Sequence, residues 1–434
     1  MKEILINISE KLHRRIFGHE MSPTMRQFLG NLSWSIGGYI IGGLIIFVVN
    51  ILAGRILGPA EYGKYNLITA IGSFFSVFMI FGFDATATKY ISASNTEEEK
   101  KFAISNSLRF SSITGLVILA LVLVFSANIA GYLNTTRIIV FLGALVGFCT
   151  MYSTLFNNFI KSLQLFKFQS IVFILQNLII FSFFILFFLV FKWGIGDNSH
   201  QYFASIVILA MLTIITIYLI KVRNNIGAWS QSMWKKMIPY WRLTLAGSFI
   251  AITLSQIDKF FLSRYLGPAE LGLYSAYLLS SVLIINQLIT ALNNVFFPMV
   301  NKSGNLKAVL KKTNQLFLIG FVPLFIATFI ISIIILKLLG TKYELNFIYV
   351  ALVSLVSCMQ VLMGFYGSII NSSQKLFSFF TKVYYFKPIA IILLIVFLVY
   401  NPNLISIYTT FLLVLVASLY DIINARICFR TLKG

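Results

Sequence analysis

The sequence has few charged residues, and acidic residues are the scarcest of them. Asp, Glu, Lys and Arg make up 11% of the 434 residues, with 13 acidic and 34 basic side chains, whereas soluble domains carry about 25% charged residues. Hydrophobic residues account for 59%, and the mean hydropathy is +0.89. The composition therefore predicts an integral membrane protein. The net charge of +21 is interpreted as membrane topology, not as a nucleic-acid surface.

Cysteine and histidine are also scarce, with three residues of each. Cys149, Cys358 and Cys428 lie in or beside apolar segments without a CxxC pair, so we expect buried thiols. The histidines lie outside the spans predicted below; they are His13, His19 and His200. The sequence also lacks HExxH, P-loop, GxSxG and paired-carboxylate motifs. We therefore predict a protein that is not an enzyme and has no metal or cofactor.

Apolar runs of the length that crosses a bilayer as a helix, about 17 to 25 residues, recur along the whole chain. We place spans at 32–56, 64–90, 109–132, 138–160, 170–191, 202–220, 244–265, 273–299, 314–336, 347–370, 383–400 and 405–425. The predicted fold is an all-α polytopic membrane protein with twelve transmembrane helices. Most Lys and Arg residues lie in the connections on the side of the N-terminus, so the positive-inside rule places both termini in the cytoplasm.

One short segment occurs twice. Residues 55–65 read RILGPAEYGKY and residues 264–274 read RYLGPAELGLY, each between two predicted spans. In both copies the Gly-Pro pair is expected to end one helix, and the later glycine to allow a tight turn into the next. The simplest interpretation is a structural turn on the outer face. Its residues are Gly58, Pro59, Gly63, Gly267, Pro268 and Gly272.

The repeat predicts two parallel halves, related by an axis along the membrane normal, which is a common layout of transporters. We divide the chain into an amphipathic cytoplasmic N-terminus (1–31), an N-lobe with spans 1 to 6 (32–220), an interfacial linker (221–243), a C-lobe with spans 7 to 12 (244–425) and a cytoplasmic tail (426–434). Gly38 and Gly42 of span 1 indicate either close helix packing or a locally broken helix that lines a path.

Polar side chains inside the spans are the candidate functional residues, because they are costly in a bilayer. The candidate cavity cations are Lys259, Arg264, Arg55 and Lys89. The candidates for ion coupling or for a polar cavity wall are Asp84, Asp258, Asn50, Asn293 and Gln256. The structural alternatives are that the cations of span 7 snorkel to the headgroups, and that Asp84 and Lys89 serve a helix end or a salt bridge.

The segments ILAGRILGPAEYGKY (51–65) and QIDKFFLSRYLGPAELGLY (256–274) resemble the bacterial polysaccharide biosynthesis proteins, among them the O-antigen unit translocases of the Wzx type. Their superfamily also includes lipid II flippases and multidrug and toxin extruders, and is known as the multidrug/oligosaccharidyl-lipid/polysaccharide exporters. The specific motifs are confined to spans 1, 2, 7 and 8, whereas the length and the twelve-span layout agree over the whole chain.

The resemblance implies two six-helix bundles around a central cavity in the bacterial cytoplasmic membrane, open to one side at a time. The implied cargo is a polyprenyl-pyrophosphate-linked oligosaccharide, carried on undecaprenyl and moved to the outer leaflet for O-antigen, lipopolysaccharide, capsule or exopolysaccharide assembly. The implied partners are the lipid bilayer, this glycan lipid, a polysaccharide polymerase and a chain-length regulator. Coupling to a proton or Na⁺ gradient is also implied, with Asp84 or Asp258 as the binding residue.

Two other functions remain open at this point. An ion-coupled multidrug extruder would share the fold, but cationic drugs favour an acidic and aromatic cavity, and the charges within the spans are mostly basic here. A membrane-embedded glycan polymerase or ligase would need catalytic carboxylates in a large outer loop, which the sequence lacks.

Overall fold

The computed structural model describes residues 23–94, 96–190, 192, 196–283, 285, 286, 289, 296, 300, 306–384 and 386–430. Within these ranges the protein is all-helical, with fourteen α-helices and no strand. This confirms the predicted fold class. Most of the predicted amphipathic N-terminus (1–31) and the candidate residue Asn293 lie outside the described residues.

Seven helices precede the central connector and seven follow it. The first set is α1 (Pro23–Ile80), α2 (Phe83–Ala93), α3 (Glu97–Val124), α4 (Ser126–Tyr132), α5 (Arg137–Ser162), α6 (Phe166–Phe184, continued by a π-helical turn, Ile185–Val190) and α7 (Ser199–Val222). The second is α8 (Gln231–Tyr265), α9 (Pro268–Leu278, continued by a π-helical turn, Leu279–Leu283), α10 (Leu306–Leu339), α11 (Phe347–Asn371), α12 (Gln374–Tyr384), α13 (Lys387–Tyr400) and α14 (Ile407–Arg430). We call α1 to α7 the N half and α8 to α14 the C half.

Nine helical segments in the described ranges are long and apolar enough to cross a membrane. The first, Gly37–Ile80, is 44 residues long and contains most of predicted spans 1 and 2. Predicted spans 3 to 6 and 9 to 12 each correspond to one of the other eight. Predicted span 7 lies in α8, and predicted span 8 begins in α9 and continues beyond the described residues.

Two helix boundaries differ from the predicted ones. Predicted span 2 (64–90) is interrupted between α1 and α2, where Phe81 and Gly82 have φ angles of 54° and 76°. The predicted linker (221–243) is helical in its second part, because α8 begins at Gln231 and runs on into span 7. The hydroxyl of Ser230 accepts a hydrogen bond from the Met233 N–H (3.3 Å) and caps this start. Hydropathy could not show it, because these first turns lie against the N half and carry charged residues.

The hydrophobic cores show where the halves meet. One core contains residues of both halves, such as Leu67 of α1 and Leu262 of α8. A second core joins Phe83 of α2 to Met237 near the start of α8, and a third, around Tyr366, contains only residues of the C half. Met237 and Leu262 are 25 residues apart on α8, or about 38 Å along the helix. Among the described residues, the N half and the helices after α9 therefore share a core at one end of α8 and have separate cores at the other.

Small side chains explain the packing within the N half. A Cβ atom on Gly38 would lie 2.5 Å from the Ser170 Cβ atom, and one on Gly42 would lie 2.6 Å from the Phe173 ring. These contacts favour the close-packing interpretation of the two glycines, which let α1 approach α6. The three cysteines are buried and form no disulfide within the described residues, and buried thiols were predicted.

Candidate functional site

The two copies of the Leu-Gly-Pro-Ala-Glu segment have the same backbone conformation. Gly58 has φ 74° and ψ 171°, and Gly267 has φ 88° and ψ −179°. This region of conformational space is accessible almost only to glycine. Pro59 and Pro268 follow in the first helical turn, where proline is favoured. The repeated sequence therefore encodes a repeated break between two helical segments.

Gly63 and Gly272, which we expected in tight turns, lie inside helices instead. A Cβ atom on Gly63 would lie 1.8 Å from the carbonyl oxygen of Pro268, and a Cβ atom on Gly272 would lie 1.8 Å from that of Pro59. The two copies thus pack directly against each other, backbone on backbone, in a reciprocal contact. We call this contact between Pro59, Gly63, Pro268 and Gly272 the seal.

Polar contacts surround the seal and also join the two halves. The hydroxyl of Tyr343, between α10 and α11, donates a hydrogen bond to the carbonyl oxygen of Gly54 (2.8 Å). Burial raises the pKa of this phenol, so it remains a donor. Ser263 donates to the carbonyl oxygen of Leu133 (3.1 Å). These bonds stabilise the closed arrangement at this end of the molecule.

A polar cluster lies about two turns before the end of α8. The Asp258 carboxylate accepts hydrogen bonds from the Tyr274 hydroxyl (2.5 Å) and the Lys259 backbone N–H (2.9 Å). The Lys259 ammonium donates to the side-chain oxygen of Gln256 (3.2 Å). The next residue, Phe260, packs its ring against Phe74 of α1, with 5.4 Å between centroids. Lys259 therefore lies beside the contact between the halves, on α8 before the seal.

The other predicted cavity cations lie elsewhere. Arg264 donates to the carbonyl oxygen of Tyr132, and its guanidinium lies 4.3 Å from the centroid of the Tyr132 ring. Arg55 is exposed on α1, on the same side of the molecule. The Lys89 ammonium lies 3.7 Å from the ring centroid of Tyr240. Tyr240 is 24 residues before Arg264 on α8, so Lys89 and Arg264 are about 36 Å apart along this helix. The four predicted cations cannot bind one diphosphate together.

The remaining polar candidates in the described residues, Asp84 and Asn50, lie on helices of the N half. Asp84 lies in the first turn of α2, where a carboxylate interacts favourably with the helix dipole. Its Oδ1 atom is buried and has no hydrogen-bond partner among the described residues. The Asn50 side chain donates to the carbonyl oxygen of Ile46 (2.8 Å) and accepts a long hydrogen bond from Tyr62 (3.5 Å). Asn50 therefore forms contacts within α1.

One cluster was missed by sequence reasoning. His200, which we placed outside the spans, lies in the candidate span Ser199–Asn225 and is only 2% exposed. Its Nδ1 atom lies 2.6 Å from Oε2 of Glu61, the glutamate of the first Leu-Gly-Pro-Ala-Glu copy. The Lys64 ammonium donates to the other carboxylate oxygen (2.6 Å). The spacing of Glu61 and Lys64 suits an ion pair on one helix face, but no local pattern indicates a histidine 139 positions away.

The comparisons with known proteins agree with this architecture. A family model described as polysaccharide biosynthesis protein matches residues 28–303. The chain belongs to this family. The match includes both copies of the repeat, so the seal, Lys259 and His200 of this polysaccharide biosynthesis protein all lie inside it. No curated protein sequence matches the chain.

Solved structures of transporters share the fold of this polysaccharide biosynthesis protein. The eukaryotic MATE transporter AtDTX14 superposes with a TM-score of 0.58 at 14% identity, over 92% of this chain and 96% of that chain. A MOP superfamily transporter from Pyrococcus furiosus superposes with a TM-score of 0.54 at 12% identity, over 96% of this chain and 100% of that chain. A MATE family transporter in its outward-facing conformation gives 0.53 at 13% identity, over 93% and 96%. At these identities the likeness shows the fold alone.

Proposed function

We propose that this protein is an alternating-access translocase of the bacterial cytoplasmic membrane. It moves undecaprenyl-pyrophosphate-linked oligosaccharide units from the inner to the outer leaflet for surface polysaccharide assembly. In the outer leaflet the product would serve a polysaccharide polymerase and its chain-length regulator. The observation that carries the proposal is Lys259, a cation in predicted span 7 of a polysaccharide biosynthesis protein, beside the contact between the halves.

The packing supports alternating access. The two lobes, proposed as 32–220 and 244–425, meet at the seal and have separate cores at the opposite end. With both termini in the cytoplasm, as the positive-inside rule predicts, the seal lies at the outer face and the end with separate cores faces the cytoplasm. Because the seal is formed by backbone contact across glycines and few hydrogen bonds, it can separate without breaking a helix.

The chemistry of Lys259 suits a diphosphate head group. Its ammonium hydrogen-bonds a neutral amide, that of Gln256, whereas the oxygens of the adjacent Asp258 accept from Tyr274 and from a backbone N–H. An ammonium has three donors, and the bond to Gln256 engages one of them. A cation in a medium of low dielectric constant attracts an anion far more strongly than it would in water. Lys259 is therefore the residue we assign to the diphosphate.

The carboxylates differ in their fitness for ion coupling. Both oxygens of Asp258 accept hydrogen bonds, whereas the buried Oδ1 atom of Asp84 has no partner among the described residues. Asp84 is therefore the better candidate for binding a proton or Na⁺.

The second candidate function is an ion-coupled extruder of cationic drugs. The observation that favours it is the Asp258–Tyr274 pair, which places an acid beside an aromatic ring, as a drug cation would require. The two functions demand opposite charges at the same level of α8. They predict opposite effects of removing Lys259, because its loss weakens the binding of an anion and strengthens that of a cation.

The experiment is a leaflet-translocation assay in proteoliposomes that contain polyprenyl-pyrophosphate-linked oligosaccharide. Lys259→Ala is expected to slow translocation at least tenfold, since a buried diphosphate without its cation costs about 2 kcal/mol or more. Lys259→Arg should retain most of the rate. Lys342→Ala, which removes an exposed lysine between α10 and α11, is the matched control. Normal translocation by Lys259→Ala would refute the assignment of this residue.

A further inference from the structure

The cluster of Glu61, His200 and Lys64 takes no part in the diphosphate binding that we assign to Lys259. Glu61 is 8% exposed and His200 is 2% exposed. The Oε2 atom of Glu61 accepts from the His200 ring (2.6 Å), the His200 backbone N–H (3.3 Å) and the Ser199 hydroxyl (3.4 Å). Since a carboxylate only accepts, the Nδ1 atom of the ring carries the hydrogen. The Nε2 atom is buried and has no partner among the described residues.

The charges of the cluster balance only when the imidazole is neutral. Glu61 then contributes one negative charge and Lys64 one positive charge, at 2.6 Å. A proton on Nε2 would add a second positive charge and a buried donor without an acceptor, and both are unfavourable away from water. The Lys64 charge interacts electrostatically with both Glu61 and His200. The arrangement in the structure therefore suits the unprotonated ring.

In the described part of the chain, the acidic side chain that contacts His200 is Glu61, which is already paired with Lys64. Tyr62 and Tyr65 are the titratable residues beside the cluster on α1, and Tyr65 packs on the ring of Phe203 of α7 at 4.4 Å. Helix α6 and its π-helical turn contribute apolar side chains to this core, such as Phe184 and Phe188. Protonation of His200 must therefore be accompanied by a rearrangement that admits water or separates α7 from α1.

The cluster and the seal share one turn of α1. Glu61, which is paired with Lys64, contacts α7 from one side of this turn, whereas Pro59 and Gly63 contact the C half from the other. We infer that Glu61, His200 and Lys64 form a proton-binding site, and that a proton bound at Nε2 of His200 loosens this turn and lowers the population of the sealed arrangement. The inference rests on the proposed opening of the seal, but its tests need no glycan lipid.

Proton binding is tested by NMR of the full chain with isotope-labelled histidine. The chain has three histidines, and the signal that disappears in His200→Asn is that of His200. It should show a neutral ring with hydrogen on Nδ1 at about pH 8 and an imidazolium at about pH 5, the range in which histidine titrates. A His200 signal that does not change over this range would overturn the proposal.

The link to the seal is tested by the distance between spin labels on Ala60→Cys and Ala269→Cys, two exposed positions on either side of the seal. The three native cysteines are replaced by alanine. The ratio of sealed to open molecules should fall about tenfold from pH 8 to pH 5 if the pKa of the site differs by one unit between the two arrangements. In His200→Asn, whose amide still donates to Glu61, the molecules should remain sealed at both pH values.

Two further variants keep the test decisive should His200→Asn fail to fold. In Lys64→Gln a proton on His200 balances Glu61 alone, so the midpoint of the opening should shift to higher pH. In Glu270→Gln, which changes the exposed glutamate of the second copy, the response should equal that of the wild type. An unchanged response in Lys64→Gln or in His200→Asn would refute the site. Either result leaves the Lys259 assignment untouched.

Discussion

Glu61 and Glu270 occupy the same position in the two copies of the repeat, yet their surroundings differ. Glu61 is buried and bonded to His200 and Lys64, whereas Glu270 is exposed. At the shared offset of 209 residues, Leu273 stands where Lys64 would be expected. The repeat therefore specifies the backbone of the seal on both sides, whereas its glutamate is buried against α7 in the first copy and exposed in the second.

The reciprocal contact at Gly63 and Gly272 is the feature that the two copies share. Disrupting this contact should have the largest effect on the sealed population. Alanine normally stabilises a helix interior by about 1 kcal/mol relative to glycine. In G63A or G272A the new Cβ atom would lie 1.8 Å from a carbonyl oxygen of the other half. We therefore expect either variant to lose the sealed population, as measured by the distance between labels at positions 60 and 269.

The matched controls for this prediction are G320A and G367A, where an added Cβ atom would meet nothing within 4 Å. Both should keep the sealed distance of the wild type. A sealed distance that survives in G63A would show that the two copies are not held together by this contact.

The difference between Glu61 and Glu270 can be tested by changing each glutamate to glutamine. Glu61→Gln leaves Lys64 without its carboxylate and should lower the free energy of unfolding by about 1 to 3 kcal/mol. Glu270→Gln removes an exposed carboxylate and should leave thermal stability unchanged. Equal thermal shifts of the two variants in detergent would contradict the difference between the copies.

A smaller effect is expected from Tyr343→Phe, which removes one hydrogen bond between the halves and should cost about 1 kcal/mol. Because burial raises the pKa of Tyr343, its contribution is complete below the ordinary tyrosine pKa of about 10 and is lost only as the pH rises through the higher folded value. The loss on mutation should therefore be the same at acidic and neutral pH. Tyr400→Phe, at a side chain that is 82% exposed, is the control and should have no effect.

The sequence was sufficient for the features that depend on local chemistry. The Gly-Pro pair predicted the break at Gly58 and Gly267, because few residues other than glycine adopt that backbone. The apolar runs predicted most spans, and Gln256 and Lys259, three residues apart, pair on one face of α8. The beginning of α8 at Gln231 was not predictable from hydropathy, since a surface helix with charged residues continues there into a span.

Contacts between distant segments could not be predicted. The pairing of Gly63 with Pro268 depends on how the halves approach each other, and a glycine at the same offset in both copies was the only available signal. His200 was placed outside the spans because the apolar run of span 6 was taken to begin at residue 202. Its burial follows from a carboxylate supplied by α1. Arg55 and Arg264 were grouped with Lys259 as cavity residues, but they lie at the level of the seal.

The most direct measurement of the central claim is made on one preparation of proteoliposomes with two cargoes. The translocation of polyprenyl-pyrophosphate-linked oligosaccharide and the transport of ethidium are followed in parallel, with protein-free liposomes as the reference. We predict translocation of the glycan lipid that depends on Lys259, with no ethidium transport above the reference. Ethidium transport without movement of the glycan lipid would contradict the proposed function and establish the extruder in its place.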